Sequence, residues 1–298
     1  MTAQPTPPTG TELARPGHRS VEALHSMIYF SPDADEAFTA LGLDTRPMRY
    51  FAGRAAPMGA VGAGIVAATF YNFNPRIIAE VIPRAWSIAA PATVVETRFR
   101  AADASLRRLL GPEALGSDEL AEAAALARRA TDACRPEARP LFAGHADLDW
   151  PEAPHLVLWH AASLLREHRG DGHLMVLQEA GLTGAQALVL QITSGEGLSR
   201  KFAQLSRGWS DQEWQQAQDE LRQRGLLDDA GEITAAGREF REDVEHRTDA
   251  LAAAPWAHLG AENAQRLAGH GKQLSRLIAK AGAFPGQAFA GGGRANEG

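Results

Sequence analysis

The densest run of groups able to move a proton or hold an anion is Arg166-Glu167-His168-Arg169-Gly170-Asp171-Gly172-His173, with His160 just upstream. Imidazoles titrate near neutral pH, so beside carboxylates they can exchange protons or bind a divalent metal. On a helix starting at His155, positions 160, 163, 164, 167 and 168 lie on adjacent parts of one face. Gly170 and Gly172 are expected to break that helix and fold Asp171 and His173 back toward it. Such a site would use His168 or His173 to exchange the proton and Asp171 to orient it. Arg54 or Arg166 would hold an anionic group of the substrate. The same residues also fit a plainer role: a helix C-terminus closed by Gly170, Asp171 capping the next helix, and His173 buried beside Val176 and Leu177. No HExxH or comparable spacing occurs, so no metal site is expected.

A second cluster is aromatic and polar: Tyr29, Phe30, Tyr50, Phe51, Arg54, Phe70, Tyr71, Asn72, Phe73 and Asn74, holding all three tyrosines of the chain. Aromatic walls with one guanidinium and two amides suit a flat, polar or anionic small molecule. Tyr29, Tyr50, Arg54, Tyr71 and Asn72 are the expected ligand contacts, joined by His160, Arg166 and Trp209 from the second half. These aromatics equally fit an ordinary core, with Asn74 used as a helix cap. Met58 to Gly64 is glycine-rich but lacks the spacing and preceding strand of a nucleotide loop, and Gly269-His270-Gly271-Lys272 is no phosphate-binding motif. Cys134, the only cysteine, excludes a disulfide within one chain and every multi-cysteine metal motif.

The elements that must position these groups read as helices throughout. Ser31-Pro32 and Asn74-Pro75 are cap-and-proline starts, and Val95, Phe99, Ala102, Leu106 and Leu109 form one apolar stripe. Helices are expected over 155–168, 173–180, 184–192 and 210–224, with a polar loop at 193–208. Gly225 to Thr234 reads as two very short strands around a turn, and helices over 234–253 and 261–280 close the chain. The expected organisation is a disordered 1–19, a helical domain 20–150, a winged-helix domain with flanking helices 151–282, and a disordered Gly-rich tail 283–298. The fold class is mainly α, the N-terminal helical region packed on a C-terminal winged helix with a short two-stranded wing.

Composition bounds the rest. With 298 residues, 45% of them hydrophobic, and a net charge of −6, the chain can bury a large core without staples. Apolar runs are short and broken by charge, and the start has neither a basic nor an apolar stretch, so a cytoplasmic protein is expected without membrane contact. No cofactor is implied.

Arg222-Gln223-Arg224-Gly225-Leu226-Leu227 followed by Ile233-Thr234-Ala235-Ala236-Gly237-Arg238 resembles the MarR-like winged helix. The stretches YFAGRAAPMG, FYNFNP, LWHAASLLREHRGDGH, RGWSDQEW and TDALAAAPW look like an actinobacterial family of uncharacterised MarR-like winged-helix (helix-turn-helix) proteins, a likeness running from about Val21 to Leu277. It implies the fold class but no activity. In such a regulator the helix before the wing enters the major groove and needs basic residues facing phosphate. Here 209–249 carries five arginines against twelve carboxylates, with Asp228-Asp229 at the wing tip. That sign disfavours DNA and favours a small-molecule-binding protein, either a ligand sensor or a sequestering protein. An enzyme using His168, Asp171 and His173 is the first alternative. The second is a ligand-responsive regulator that gathers Arg200, Lys201, Arg207, Arg222 and Arg224 on one edge, forming a homodimer through its terminal helices.

Overall fold

Side-chain caps set half of the helix starts. In the computed structural model, which describes residues 8–195 and 197–285, Ser31, Thr45, Asn74, Ser117, Thr183, Ser210 and Thr234 each accept a backbone N–H of the turn they open. Each such bond satisfies a donor the first turn leaves free, and contributes about 1 kcal/mol. The helices of the first half are α1 (Gly10–Ser26), α2 (Pro32–Ala40), α3 (Arg46–Ala55), α4 (Ala63–Phe70), α5 (Pro75–Ala79), α6 (Arg84–Ile88), α7 (Pro91–Leu115), α8 (Asp118–Thr131) and α9 (Pro140–Ala146). Those of the second half are α10 (Pro154–Glu179), α11 (Gly184–Thr193), α12 (Arg200–Arg207), α13 (Asp211–Gln223), α14 (Ala235–Leu251), α15 (Ala253–Leu259) and α16 (Ala261–Lys280).

Several expectations are corrected. Residues 10–19 are not disordered: Thr9 and Glu12 form a reciprocal capping box, and α1 buries Ala14, Val21 and Leu24. At the other end Ala283 is buried and Phe284 packs edge-on against Phe30, so order extends past 282; 286–298 and 1–7 lie outside the described residues. The expected break at Gly170 is absent, because α10 is one helix of 26 residues. The loop at 193–208 contains α12. The two-stranded wing does not form either. Among the described residues 225–234 holds one isolated antiparallel bridge, Leu227 to Ile233, with Asp228 N–H to the Glu232 carbonyl and Thr234 N–H to the Leu226 carbonyl around it. Gly231 and the Asp228-Asp229 turn leave too few residues on either side for a ladder to extend.

Burial divides the molecule into two cores, and not at 150. The first runs from Ala14 to Leu165 and returns with Ala252 to Ala283, so α15 and α16, expected in the second domain, pack instead on α1 and α8. The terminal helices α1 and α16 are thus partners within one chain. The second core runs from Val176 to Val244 and is built around Trp214, Leu221, Leu188 and Val189. α10 belongs to both: its first half packs in one core, Val176 and Leu177 in the other.

Candidate functional site

α10 is buried along most of its length, and its polar residues are therefore met by the helices around it. Its glycines serve that crowding. A Cβ on Gly172 would lie 2.6 Å from Arg139 Nη1, and one on Gly170 would lie 3.2 Å from Arg166 Nη1. Arg139 lies in this room to donate to the His168 carbonyl and, at 2.9 Å, to the Leu251 carbonyl. Both glycines keep the helix and admit a guanidinium across it.

Glu167 is the centre of the buried polar face. It accepts Arg54 twice, Nε to Oε1 at 3.0 Å and Nη2 to Oε2 at 2.8 Å, and Arg166 Nη1 at 2.6 Å. Burial alone would raise its pKa; Arg166 and Arg54 overcome that and hold the carboxyl well below the usual range. Arg54, itself buried, also donates to Tyr50 Oη at 3.3 Å and lies 4.5 Å over the Phe70 ring. The two clusters expected from sequence therefore meet, through Arg54 and Glu167.

A relay of assigned direction runs beside them. Ser163 donates to the Trp159 carbonyl, so its oxygen accepts His25 Nδ1–H at 2.9 Å. His25 Nε2 then accepts Tyr29 Oη–H at 3.2 Å, and Tyr29 accepts Arg98 Nη2 at 3.3 Å. Arg98 Nη1 donates at 2.7 Å to His145 Nε2, whose Nδ1–H is held by the Leu141 carbonyl. Burial pushes His145 down to about 3 and His25 well below its ordinary value, so both rings are neutral. The buried Arg98 thus meets only neutral partners, including the Trp159 ring at 4.9 Å. On α1 the same polar face continues with His18 and Glu22. His18 Nδ1 and Glu22 Oε2 are enclosed without a hydrogen-bond partner, and burial pushes the Glu22 carboxyl up.

The second core meets this region through a helix-turn-helix. α12 ends at Gly208, whose left-handed φ of 74° closes the helix, and Ser210 caps α13 after a turn of Gly208, Trp209 and Ser210. A Cβ on Gly208 would overlap Ile77 of α5. Around it Asn74 N–H donates to the Arg207 carbonyl at 2.8 Å, Trp209 Nε1 donates to the Asn72 carbonyl at 2.9 Å, and Arg76 pairs with Glu213 at 2.8 Å. Tyr71, with a φ of 25°, places its carbonyl where a Cβ on Gly184 would stand, and its hydroxyl donates to the Leu182 carbonyl at 2.5 Å. Tyr71 therefore joins the end of α4 to the turn between α10 and α11, Asn72 and Trp209 join it to the helix-turn-helix, and none of the three bonds Glu167 among the described residues.

The side chain of Arg207 turns into the seam. Its guanidinium carbon lies 4.2 Å over the Phe73 ring, Nη1 donates to Ser206, and Nε is enclosed with no partner. Burial pushes its pKa down, Tyr50 opposes this, and Arg54 and Arg166 add to it, so all four groups lie within electrostatic reach. Sequence reasoning missed Arg207, Arg98, His25 and His145 as members of this face. His18, Glu22, His25 and Tyr29 do recur at spacings of four, three and four, the mark of one helical face.

The expected acid–base trio is not assembled: among the described residues no hydrogen bond joins His168, Asp171 and His173. Asp171 accepts Phe142 N–H at 2.9 Å and so caps α9, whose own Arg139 start has no side-chain cap. Burial, opposed by that bond, pushes Asp171 up to about 6. His168 packs edge-on to Phe142 and is pushed down by burial to about 3. His173 bonds Thr248 on α14 at 2.9 Å. His160 sits elsewhere, between Phe99 and Trp150, and burial pushes it down to about 4. Phe51, Phe70 and Phe73 are buried and packed on one another, as a core would have them.

The outward residues of α13 are Asp211, Gln212, Gln215, Gln216, Asp219 and Gln223. Arginines near them are engaged: Arg222 by Asp219 and the Asp228 carbonyl, Arg224 by the Ala180 and Gly181 carbonyls, Arg238 by the Ile233 carbonyl, and Arg247 by Asp243 and Glu179. No single helix among the described residues is long and apolar enough to cross a membrane.

No curated protein and no solved structure matches the chain. The model of one family, described as a helix-turn-helix family, matches residues 14–285. With the α12–turn–α13 unit at its centre and the match spanning almost its whole length, the chain belongs to the helix-turn-helix family.

Proposed function

We propose that this helix-turn-helix protein binds a small molecule, as a ligand sensor or a sequestering protein, and that its α13 face no longer takes duplex DNA. One observation carries this: Arg222, Arg224, Arg238 and Arg247 are tied to the protein's own oxygens, and α13 turns carboxylates and amides outward. A duplex reader needs free cations at that position to displace the counterions of the phosphates, and like charge there lowers affinity. A regulator that reads DNA is the second reading, favoured by the helix-turn-helix itself and by the exposed Lys201 on α12.

Two measurements on the full chain separate them. A gel shift with genomic fragments at low salt is expected to show no complex at micromolar protein; a complex there makes the protein a regulator. A thermal-shift screen of metabolites and cofactors is expected to give a stabilising compound, since a ligand at about 100 times its dissociation constant adds roughly 2.7 kcal/mol. A screen without a hit, beside a positive gel shift, defeats the proposal.

A further inference from the structure

Charges inside the seam do not balance. Arg54 and Arg166 share the carboxylate of Glu167, while Arg207 and Arg98 make no ion pair with a carboxylate among the described residues. Glu22, the other acid nearby, lies 3.5 Å from His18 Nε2 and makes no hydrogen bond to any of these guanidiniums. Buried cations are ordinarily paired, and a surplus of them is a stored demand for negative charge. The free capacity is concentrated at Arg207, whose Nε is enclosed and makes no hydrogen bond among the described residues and whose guanidinium carbon lies 4.2 Å over the Phe73 ring. Tyr50 links the two arginines' surroundings: its ring lies 5.2 Å from that of Phe73, and its hydroxyl accepts Arg54 Nη1 at 3.3 Å.

We propose that Arg54, Arg166 and Arg207, with the Tyr50 hydroxyl, form a binding site for the oxyanion head of a small molecule, a carboxylate or a phosphate. This rests on the small-molecule reading above and names its site and ligand class. Fork-shaped guanidinium donors match both heads, and charge-assisted bonds to them are the strong ones. Position gives the site a consequence. Arg54 and Arg166 belong to α3 and α10, whereas Arg207 is the last residue of α12 and opens the turn of the helix-turn-helix. An anion bonded to all three ties the helix-turn-helix to the first core, adding to the Asn74 and Trp209 bonds already there.

The test is calorimetric titration of the full-length protein with inorganic phosphate and, separately, with acetate and benzoate, each against chloride at matched ionic strength. Saturable binding of at least one oxyanion is expected, and the tighter arm identifies the head group. Arg207→Gln leaves no carboxylate unpaired and is expected to weaken that binding by at least roughly tenfold, the loss of one charged hydrogen bond. Arg207→Lys is expected to recover part of it, and Lys272→Gln, on exposed α16, none of the loss. Binding unchanged in Arg207→Gln with an unaltered melting temperature overturns the site. So does no response to any oxyanion while a screened compound binds both wild type and Arg207→Gln equally; the small-molecule reading then survives without it. Oxyanion binding lost in Arg207→Gln, together with a tight duplex complex, keeps the site and defeats that reading.

Discussion

The two charged regions of this protein treat arginine in opposite ways. On the surface of α13, the turn after it and α14, carboxylates outnumber guanidiniums, and Arg222, Arg224, Arg238 and Arg247 are neutralised or bonded by their own chain. Inside the seam guanidiniums outnumber carboxylates, and among the described residues Arg98 and Arg207 pair with no acid. A surface arginine costs little to keep, whereas a buried one without a counterion is expensive. Positive charge without a carboxylate partner therefore sits in the seam and not on the outward face of α13.

The contrast can be broken most severely at Glu167. Glu167→Gln leaves the buried Arg54 without its carboxylate and removes the pair of the half-buried Arg166, and urea unfolding is expected to show a loss of about 3–5 kcal/mol. A loss under about 1 kcal/mol would mean that water reaches these groups and that the interior surplus is illusory. Next comes the joint between the regions. Gly208→Ala combines a left-handed backbone with an overlap on Ile77, for an expected loss of about 2–4 kcal/mol. Gly225→Ala has a similar φ of 70° but open space around it, so about 1–2 kcal/mol is expected. Equal losses at the two would show that the turn is not locked on α5.

Asp171 offers a pH-dependent test. Burial raises its folded pKa to about 6, above the ordinary value for a free carboxyl, so the folded state binds the proton more firmly than the unfolded one. Stability from this group is complete below the unfolded pKa and is lost as pH rises from about 4 to 6. Over that window wild type is expected to lose stability relative to Asp171→Asn, followed by denaturant midpoints. A flat difference would remove the burial argument for α10. The smallest effect is expected on the outer face, where Arg222→Gln should change stability by less than about 1 kcal/mol because its pair with Asp219 is half in water.

Much of this was legible in the sequence. Helix starts at Ser31, Asn74, Ser117 and Ser210 follow from residue type, because a short side-chain oxygen before an apolar period has one local use. The acid surplus of 209–249 needed only counting. Legibility failed where long-range packing overrides local preference. Gly170 and Gly172 read as breakers because nothing local reveals that guanidiniums fill the space above them, Arg166 at Gly170 and Arg139, from a distant connector, at Gly172. His168, Asp171 and His173 sit close in sequence, yet two different elements engage them: Phe142 of α9 takes the first two and Thr248 of α14 the third. Of the expected ligand contacts, Arg54 and Arg166 bond Glu167, with Tyr50 on Arg54 and Tyr29 packed on Tyr50. Tyr71 instead holds the α10–α11 turn, and Asn72 with Trp209 holds the helix-turn-helix, a distinction that only tertiary placement makes.

The most direct test of the central claim is fluorescence anisotropy of a labelled duplex titrated with the full-length protein at about 50 mM salt, and again at about 200 mM. Sequence-independent binding by a basic reader would fall roughly 10³–10⁵-fold across that range when 6–10 phosphates are neutralised. The account predicts no saturable signal at either salt, with Asp211→Lys and Asp219→Lys together introducing a weak, salt-sensitive one. Micromolar or tighter binding by the wild-type protein that weakens steeply with salt would contradict it.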